Sequence, residues 1–298
     1  MTSYQYFPGC SLKATGAAYE ESMQELFRVL GIGLEELEDW NCCGATSYMA
    51  IDEVSAFVLS ARNLSIAGQK QADLLAPCSA CYLVLRKTQD YASHYPEIGA
   101  KVAKSLANAG LPPLGAARVR HPLEALYNDV GIAKIKSLVK RKWTGGRVAC
   151  YYGCQVVRPY DEVDRPHDPA RMDELMQAVG IPTVPYSLKT KCCGGALTGT
   201  IHDVGVRLNY VLLKEAMRAG ADCIVTICPL CQFNLDSCQD EIRRETGEDI
   251  DIPIIYFTQV LGWALGGDLK KLGLKRSIAG RRRIKRWFVE QQEVEQYV

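Results

Sequence analysis

The sequence predicts an α/β protein built from two tandem copies of one domain, each a small parallel sheet with helices on both faces. Three observations support this fold class. Cysteines recur in the same order in both halves of the chain, short apolar runs typical of buried strands precede them, and segments of helical periodicity lie between these runs. Strands that alternate with helices favour parallel sheets.

Each copy carries one leading cysteine, then a Cys-Cys-Gly triplet, then a Cys-x-x-Cys motif. From the triplet onward, corresponding positions are 150 residues apart, whereas the two leading cysteines are 144 residues apart. Only the first spacer therefore differs in length between the copies. The repeated cysteines are Cys10, Cys42, Cys43, Cys78 and Cys81 in the first copy, and Cys154, Cys192, Cys193, Cys228 and Cys231 in the second.

Predicted strands lead into the cysteines, and predicted helices follow the strands. The strands are expected at Tyr4–Phe7, Leu74–Ala76, Val148–Tyr152, Thr183–Tyr186 and Cys223–Ile227. The helices are expected at Ala17–Leu30, Glu53–Gln71, Tyr82–Tyr91, Arg171–Val179, Asp203–Arg218 and Gln232–Thr246. Ligands gather beyond the carboxyl ends of the strands in such sheets, so we expect the cysteines of each copy to converge there. We also expect a pocket between the copies.

Three segments divide the chain. Residues 1–145 form the first domain with its connecting helices, residues 146–269 form the second domain, and residues 270–298 form a basic C-terminal tail. Residues 270–286 contain nine Lys or Arg and no acidic residue. Such a tail suits a partner subunit, an anionic membrane surface or nucleic acid, and a solvated helix closing the second domain is an equally good interpretation. We expect no nucleic-acid partner.

Composition and the first residues place the chain among cytoplasmic proteins. Of its 298 residues, 48% are apolar and 23% are charged, which excludes disorder as a description of the whole chain. The apolar stretches are too short and too interrupted to span a bilayer. The first ten residues lack the basic patch and apolar core of an export signal. We therefore expect no transmembrane segment and a cytoplasmic location.

Thirteen cysteines in a chain of this size indicate metal or redox chemistry, because a reducing cytosol keeps thiols free. Structural zinc takes four ligands, whereas each copy offers five cysteines, so iron and sulfide suit the pattern better and zinc remains the alternative. Cys150, Cys223 and Cys238 have no counterpart in the other copy. We interpret these three as small buried hydrophobic residues.

The doubled cysteine pattern resembles the cysteine-rich CCG domain, and the chain is similar to the B subunits of heterodisulfide reductases over about residues 4–260. Larger CCG proteins, such as the iron-sulfur subunits of glycolate, lactate and glycerol-3-phosphate oxidoreductases, resemble it as well. Those commonly carry a ferredoxin segment ahead of the repeats, but here the first repeated cysteine is already Cys10.

The resemblance implies two non-cubane [4Fe-4S] clusters, each held by the five repeated cysteines of one copy. It implies an oxidoreductase in which a disulfide between the clusters is cleaved, or formed, by one-electron steps. The implied partners are a ferredoxin-like C subunit and a flavin-bearing A subunit, with a lipoate-bound sulfur carrier in the reverse direction. An electron relay without substrate chemistry and a zinc-stabilised assembly module remain alternatives.

Overall fold

Two parallel sheets, one in each half of the chain, are the framework of the protein, and they confirm the predicted fold class. The structure is a computed structural model that describes residues 3–290. The first half contains β1 (Ser3–Tyr6), α1 (Gly9–Leu12), α2 (Ala17–Leu30), β2 (Gly33–Glu36), α3 (Ser47–Ile51), α4 (Glu53–Ala67), β3 (Leu74–Leu75), α5 (Ser79–His94), α6 (Pro96–Asn108), β4 (Val119–Arg120), α7 (Pro122–Ala125) and α8 (Ile132–Ser137).

The second half repeats this order with local changes. It contains β5 (Val148–Tyr151), α9 (Arg171–Ala178), α10 (Leu197–Thr200), α11 (His202–Arg218), β6 (Cys223–Thr226), α12 (Pro229–Ser237), α13 (Gln239–Thr246), β7 (Ile254–Tyr256), α14 (Phe257–Ala264) and α15 (Arg281–Lys285). The predicted bounds of α2 coincide with the observed ones. The single helix predicted at Gln232–Thr246 is wrong, because the chain breaks there into α12 and α13.

The order of the strands explains why each sheet gathers cysteines. In the first sheet the order is β2-β1-β3-β4, and in the second it is β5-β6-β7, all parallel. The chain passes from β1 to β2, which lies beside β1 on one edge, and then crosses to β3, which lies beside β1 on the opposite edge. Ligands bind in parallel sheets where the strand order reverses in this way. Loops that follow β1 and β3, or β5 and β6, therefore open at neighbouring points.

The strand predicted at Thr183–Tyr186 is wrong for most of its length. Only Thr183 forms a bridge, and its partner is Val148 on β5. The Val148 amide donates to the Pro182 carbonyl at 2.9 Å, and the Val184 amide donates to the Val148 carbonyl at 2.9 Å. Beyond Thr183, the described segment forms no further bridge to β5. This segment occupies the position that β2 takes in the first sheet.

The two halves share one hydrophobic core. Helix α2 of the first half packs against α14 of the second half, and Tyr19 stacks on Tyr256 with ring centroids 4.6 Å apart. The buried hydroxyls of Ser22 and Thr258 are hydrogen-bonded at 2.7 Å in the same contact. This packing fixes the orientation of one cysteine-bearing sheet relative to the other.

The described part of the C-terminal tail contacts both halves of the chain. Trp287 and Phe288 are buried and pack on Trp143, while the basic side chains of α15 are mostly exposed. Residues 291–298 of the predicted tail lie outside the described residues. The domain boundaries at residues 145 and 269 remain predictions.

Candidate metal centre

The ends of the strands position the repeated cysteines. Cys10 lies in α1, directly after β1, and the Cys-Cys-Gly triplet follows β2. Cys78 and Cys228 are the residues that precede α5 and α12, so each Cys-x-x-Cys motif forms the first turn of a helix that begins at the end of a strand. The short strand-to-helix connections leave these thiols little freedom to move away from the edge of the sheet.

The first five cysteines lie together. The Sγ atoms of Cys43 and Cys81 are 3.1 Å apart. Cys81 contacts Cys78 within the same helical turn, and Cys42 contacts Cys43. Cys10 lies close enough to Cys42 to raise the pKa of its thiol, after the larger effects of Cys43 and of burial.

The second five cysteines repeat this arrangement. The Sγ atoms of Cys193 and Cys231 are 3.4 Å apart, which matches the contact between Cys43 and Cys81 in the first set. Cys231 also contacts Cys228, and Cys154 contacts Cys192. The structure therefore brings all three cysteine groups of each copy together, as the topology predicts.

The two sets meet at Cys78 and Cys228. Their contact raises the pKa of the Cys78 thiol. The pKa of the Cys228 thiol is lowered, first by Cys231 and next by Cys78. Both residues are buried, and the stacked rings of Tyr19 and Tyr256 lie nearby. The sites of the two copies are thus neighbours within one molecule.

Each set has a buried base and a more accessible upper part. In both copies the second cysteine of the triplet and both cysteines of the Cys-x-x-Cys motif are buried. Cys10, Cys42 and Cys192 are exposed, and Cys154 is half-buried. A bound group would therefore contact three buried thiols on its inner side and the two more accessible cysteines on its solvent-facing side.

Contacts between thiols of the same set lower the pKa of one thiol in each contacting pair. Contact with Cys154 lowers the pKa of Cys192 to about 6, and contact with Cys231 lowers the pKa of Cys193. In the first set, contacts with Cys42 and then Cys81 lower the pKa of Cys43. A lowered pKa favours the thiolate, which is the form that binds metal.

Two equivalent glycines make room for these sulfurs. Gly9 and Gly153 precede the leading cysteines with φ angles of +64° and +73°. A Cβ at Gly9 would lie 3.0 Å from the Cys81 Sγ, and a Cβ at Gly153 would lie 3.1 Å from the Cys231 Sγ. The backbone thus passes directly against the thiols, and only glycine combines this φ with this approach.

Two asparagines that were not predicted as site residues form hydrogen bonds to Cys193 in the second Cys-Cys-Gly triplet. Asn234 donates to the Cys193 Sγ at 3.5 Å and to the Cys193 carbonyl at 3.3 Å, and Asn209 donates to the same carbonyl at 3.0 Å. Leu59 and Val84 stand at the corresponding first-copy positions, so the cysteine repeat gives no signal for them. In the first copy Asn63 instead bonds the backbone of Asn41.

A cavity of about 410 Å³ opens beside the second set. It lies between the copies, because Thr46, Ala50 and Ser79 of the first half form part of its wall. All five cysteines of the second set line it, whereas the first five, all within the described residues, do not. Its wall contains hydroxyl, amide and apolar groups and no acidic, basic or histidine side chain among residues 3–290.

The donor set fits an iron-sulfur group. Five soft thiols per copy, partly in thiolate-favouring pairs, and a glycine that leaves space beside the sulfurs suit iron and sulfide. Within residues 3–290, no three His, Cys, Asp or Glu side chains are arranged around a point that suits a single metal ion. Cys150, Cys223 and Cys238 are buried and lie outside both sets.

The repeated α/β units with convergent thiols define a duplicated cysteine-rich protein. Residues 4–86 and 148–236 each match the family pattern of the CCG cysteine-rich domain. The chain belongs to this family.

Curated relatives extend along nearly the whole chain. It is 32% identical to a protein of Archaeoglobus profundus named as similar to the B subunit of heterodisulfide reductase, covering 91% of this chain and 93% of the relative. It is 30% identical to the 8-methylmenaquinol:fumarate reductase membrane anchor subunit of Wolinella succinogenes, covering 92% and 96%. It is 28% identical to the B subunit of a ferredoxin/F420H2-dependent CoB-CoM heterodisulfide reductase of Methanosarcina acetivorans, covering 93% and 94%.

A solved structure has the same fold. A hypothetical protein from Helicobacter pylori matches 93% of this chain with a TM-score of 0.73 and 13% sequence identity. This chain corresponds to 52% of that protein, about half of its length. Every helix within residues 3–290 is too short or too polar to cross a bilayer.

Proposed function

We propose that this chain is the iron-sulfur catalytic subunit of a heterodisulfide reductase-like complex. In this proposal each copy holds one non-cubane [4Fe-4S] cluster through its five repeated cysteines. The observation that carries the proposal is the contact between the two cysteine sets at Cys78 and Cys228, beside a cavity walled by both copies. Relatives along nearly the full chain that are named after heterodisulfide reductase B subunits support it.

The proposed reaction is RS–SR′ + 2 e⁻ + 2 H⁺ → RSH + R′SH, or its reverse. Each cluster, when bound, would supply or accept one electron at a time. The chain would hold the thiolate ligands, place the two sites side by side and enclose the substrate between its halves. We assign no general acid, because no acidic, basic or histidine side chain lines the described cavity and burial raises the pKa of Tyr152, the phenol on its wall.

The partners in this proposal are a ferredoxin-like C subunit and a flavin-bearing A subunit, which exchange electrons with this chain. The substrate is a disulfide or a pair of thiols, or a lipoate-bound sulfur carrier in the oxidative direction, and the complex works in the cytoplasm. Relatives that are named as reductase subunits support a role within a larger assembly.

A second function has support from one relative. The protein of Wolinella succinogenes is named as a subunit of a quinol:fumarate reductase, a reaction without a disulfide. This chain would then relay electrons between partner subunits and contact no substrate.

The first experiment is metal and sulfide analysis of this full chain, purified without oxygen and separated from the iron-bearing partner subunits. The proposal predicts about eight iron and about eight sulfide per chain, for two four-iron clusters. About two zinc and no iron would instead support an assembly module stabilised by zinc.

The second experiment separates catalysis from relay. We expect Cys193→Ala to lose about half of the iron and to abolish disulfide cleavage by the complex. Cys238→Ala is the matched control, because Cys238 is also buried in the second half but lies outside both sets. A Cys193→Ala complex that cleaves the disulfide at the parental rate would contradict the catalytic proposal. A parental complex that reduces a dye but cleaves no disulfide would support the relay.

A further inference from the structure

The two copies differ at the second position of the Cys-x-x-Cys motif. The first copy reads Cys-Ser-Ala-Cys, with Ser79, and the second reads Cys-Pro-Leu-Cys, with Pro229 at the corresponding place. Both residues begin a helix directly after a strand, so their backbones occupy equivalent positions. The difference therefore lies in the side chains alone.

These side chains face the opposite copy. Ser79 of the first half lies on the wall of the cavity beside the second cysteine set, close to Cys228. Pro229 of the second half packs against the first half at Gly16, where an added Cβ would lie 2.8 Å from the Pro229 Cβ. The Ser79 hydroxyl thus lies beside the second cysteine set and its cavity, whereas the Pro229 ring packs against the first half.

The Ser79 hydroxyl is buried beside the Cys228 thiol without a well-formed hydrogen bond in the described part of the chain. The residue is 2% exposed, and its oxygen forms no hydrogen bond of normal geometry with another protein group within residues 3–290, although it lies within interaction distance of the Cys228 thiol. A buried polar group without a partner is unfavourable, so such a group is commonly satisfied by a ligand or an ordered water.

The other hydroxyls on the wall are engaged or exposed. Tyr152 donates to Asp173 at 2.7 Å, and Thr200 donates to the Ala196 carbonyl at 3.2 Å. Thr46 is exposed to solvent. Within the described cavity wall, Ser79 is consequently the buried hydroxyl without a well-formed hydrogen bond, and its two candidate acceptors are a bound ligand and the Cys228 thiol.

We propose that the Ser79 hydroxyl donates a hydrogen bond to the sulfur of a thiolate held in this cavity, so that the first copy supplies a substrate contact at the second site. This inference rests on the proposed function and deepens it. No cationic side chain lines the described cavity, so the negative charge of a thiolate depends on neutral donors. A hydroxyl bond to a charged acceptor is stronger than one to a neutral acceptor. The second site would thus bind the substrate thiolate with a contact that the first site lacks.

The test uses Ser79→Ala and Ser79→Pro in the cluster-loaded complex. Proline suits the first position of a helix, and the second copy already carries it there, so Ser79→Pro removes the hydroxyl within a tolerated backbone. Ser79→Thr retains a hydroxyl. Ser60→Ala is the matched control, because Ser60 is also a buried serine with an unpartnered hydroxyl but does not line the cavity.

The readout is the change in the cluster absorption spectrum when dihydrolipoamide, a neutral dithiol, is titrated without oxygen. We expect Ser79→Ala and Ser79→Pro to bind it about tenfold more weakly, the lower range for a bond to a charged group. Ser79→Thr and Ser60→Ala should bind as the parent does. The midpoint potential of the thiol-free protein should be unchanged in all four variants.

Four results would overturn the inference. Parental affinity in Ser79→Ala would show that the hydroxyl contacts no thiolate, and equal weakening in Ser79→Thr would show that packing is responsible. A changed midpoint potential without weaker binding would assign the bond to Cys228 instead. A parent that holds iron but does not respond to the dithiol would overturn this inference, whereas a parent without iron would overturn the proposed function itself.

Discussion

Replacing Gly153 by alanine tests whether the second cysteine set closes around a bound group. The added Cβ would lie 3.1 Å from the Cys231 Sγ. Carbon contacts are most favourable at about 3.5–4.0 Å, so the sulfur or the loop would have to move by about half an ångström. Cys231 belongs to a buried helical turn, and its sulfur is also 3.4 Å from that of Cys193, which limits where it can go.

The same substitution also strains the backbone. Gly153 has a φ of +73°, and a non-glycine residue in this region costs about 1–2 kcal/mol. Gly180→Ala isolates this cost, because Gly180 has a φ of +81° and a Cβ there would meet no atom within 4 Å. Both variants should lose a similar free energy of unfolding from strain, measured by urea titration.

Iron and sulfide analysis distinguishes the two variants. We expect Gly153→Ala to retain about half of the parental iron, since the first set is untouched, and Gly180→Ala to retain all of it. If Gly153→Ala holds the full parental complement of iron and sulfide, the reasoning that Cys231 is a ligand in a tightly fitted site is refuted.

Two further predictions concern hydrogen bonds that support the cysteines and a buried histidine. Asn234→Leu removes the donor to the Cys193 Sγ and should lower the midpoint potential of one cluster by roughly 60 mV, the one-electron equivalent of about 1.4 kcal/mol. Asn209→Leu loses only its bonds to the carbonyls of Cys193 and Gly205, so a redox titration should find its potential unchanged. Burial lowers the pKa of His121 to about 4, so its stabilisation is complete above pH 6.5 and is lost as the pH falls toward 4. Urea titrations should show a parental loss about 2 kcal/mol larger than that of His121→Gln between pH 7.5 and pH 5, and equal losses would contradict this.

The sequence predicted the parts of the fold that carry strong local patterns. Helix α2 has an amphipathic face and a glycine directly after it, and its predicted bounds coincide with the observed ones. Strands β5 and β6 are fully buried runs that contain cysteines, and they lie within their predicted ranges, whereas β1, Ser3–Tyr6, is shifted by one residue from its predicted range. Strand β2 was missed because only Leu34 among its four residues, Gly33–Glu36, is a large apolar residue, and the strand lies at the edge of the sheet.

The grouping of cysteines within each copy could be predicted, but the relation between the copies could not. A repeat shows which residues correspond, and parallel topology places them at one edge. The contact between Cys78 and Cys228 depends instead on how α2 packs against α14, a long-range arrangement without a sequence motif. Asn234 and Ser79 were missed for a related reason, since each stands where the other copy has a different residue.

The most direct test is a crystal structure of the protein prepared without oxygen, with anomalous diffraction recorded at the iron and zinc absorption edges. We predict iron at two neighbouring positions, each ligated by one set of five cysteines, with the cavity beside the second position. Iron outside these sets, zinc in their place, or a fully metallated protein in which Cys10 lies far from Cys78 or Cys154 lies far from Cys228 would contradict the proposed centres.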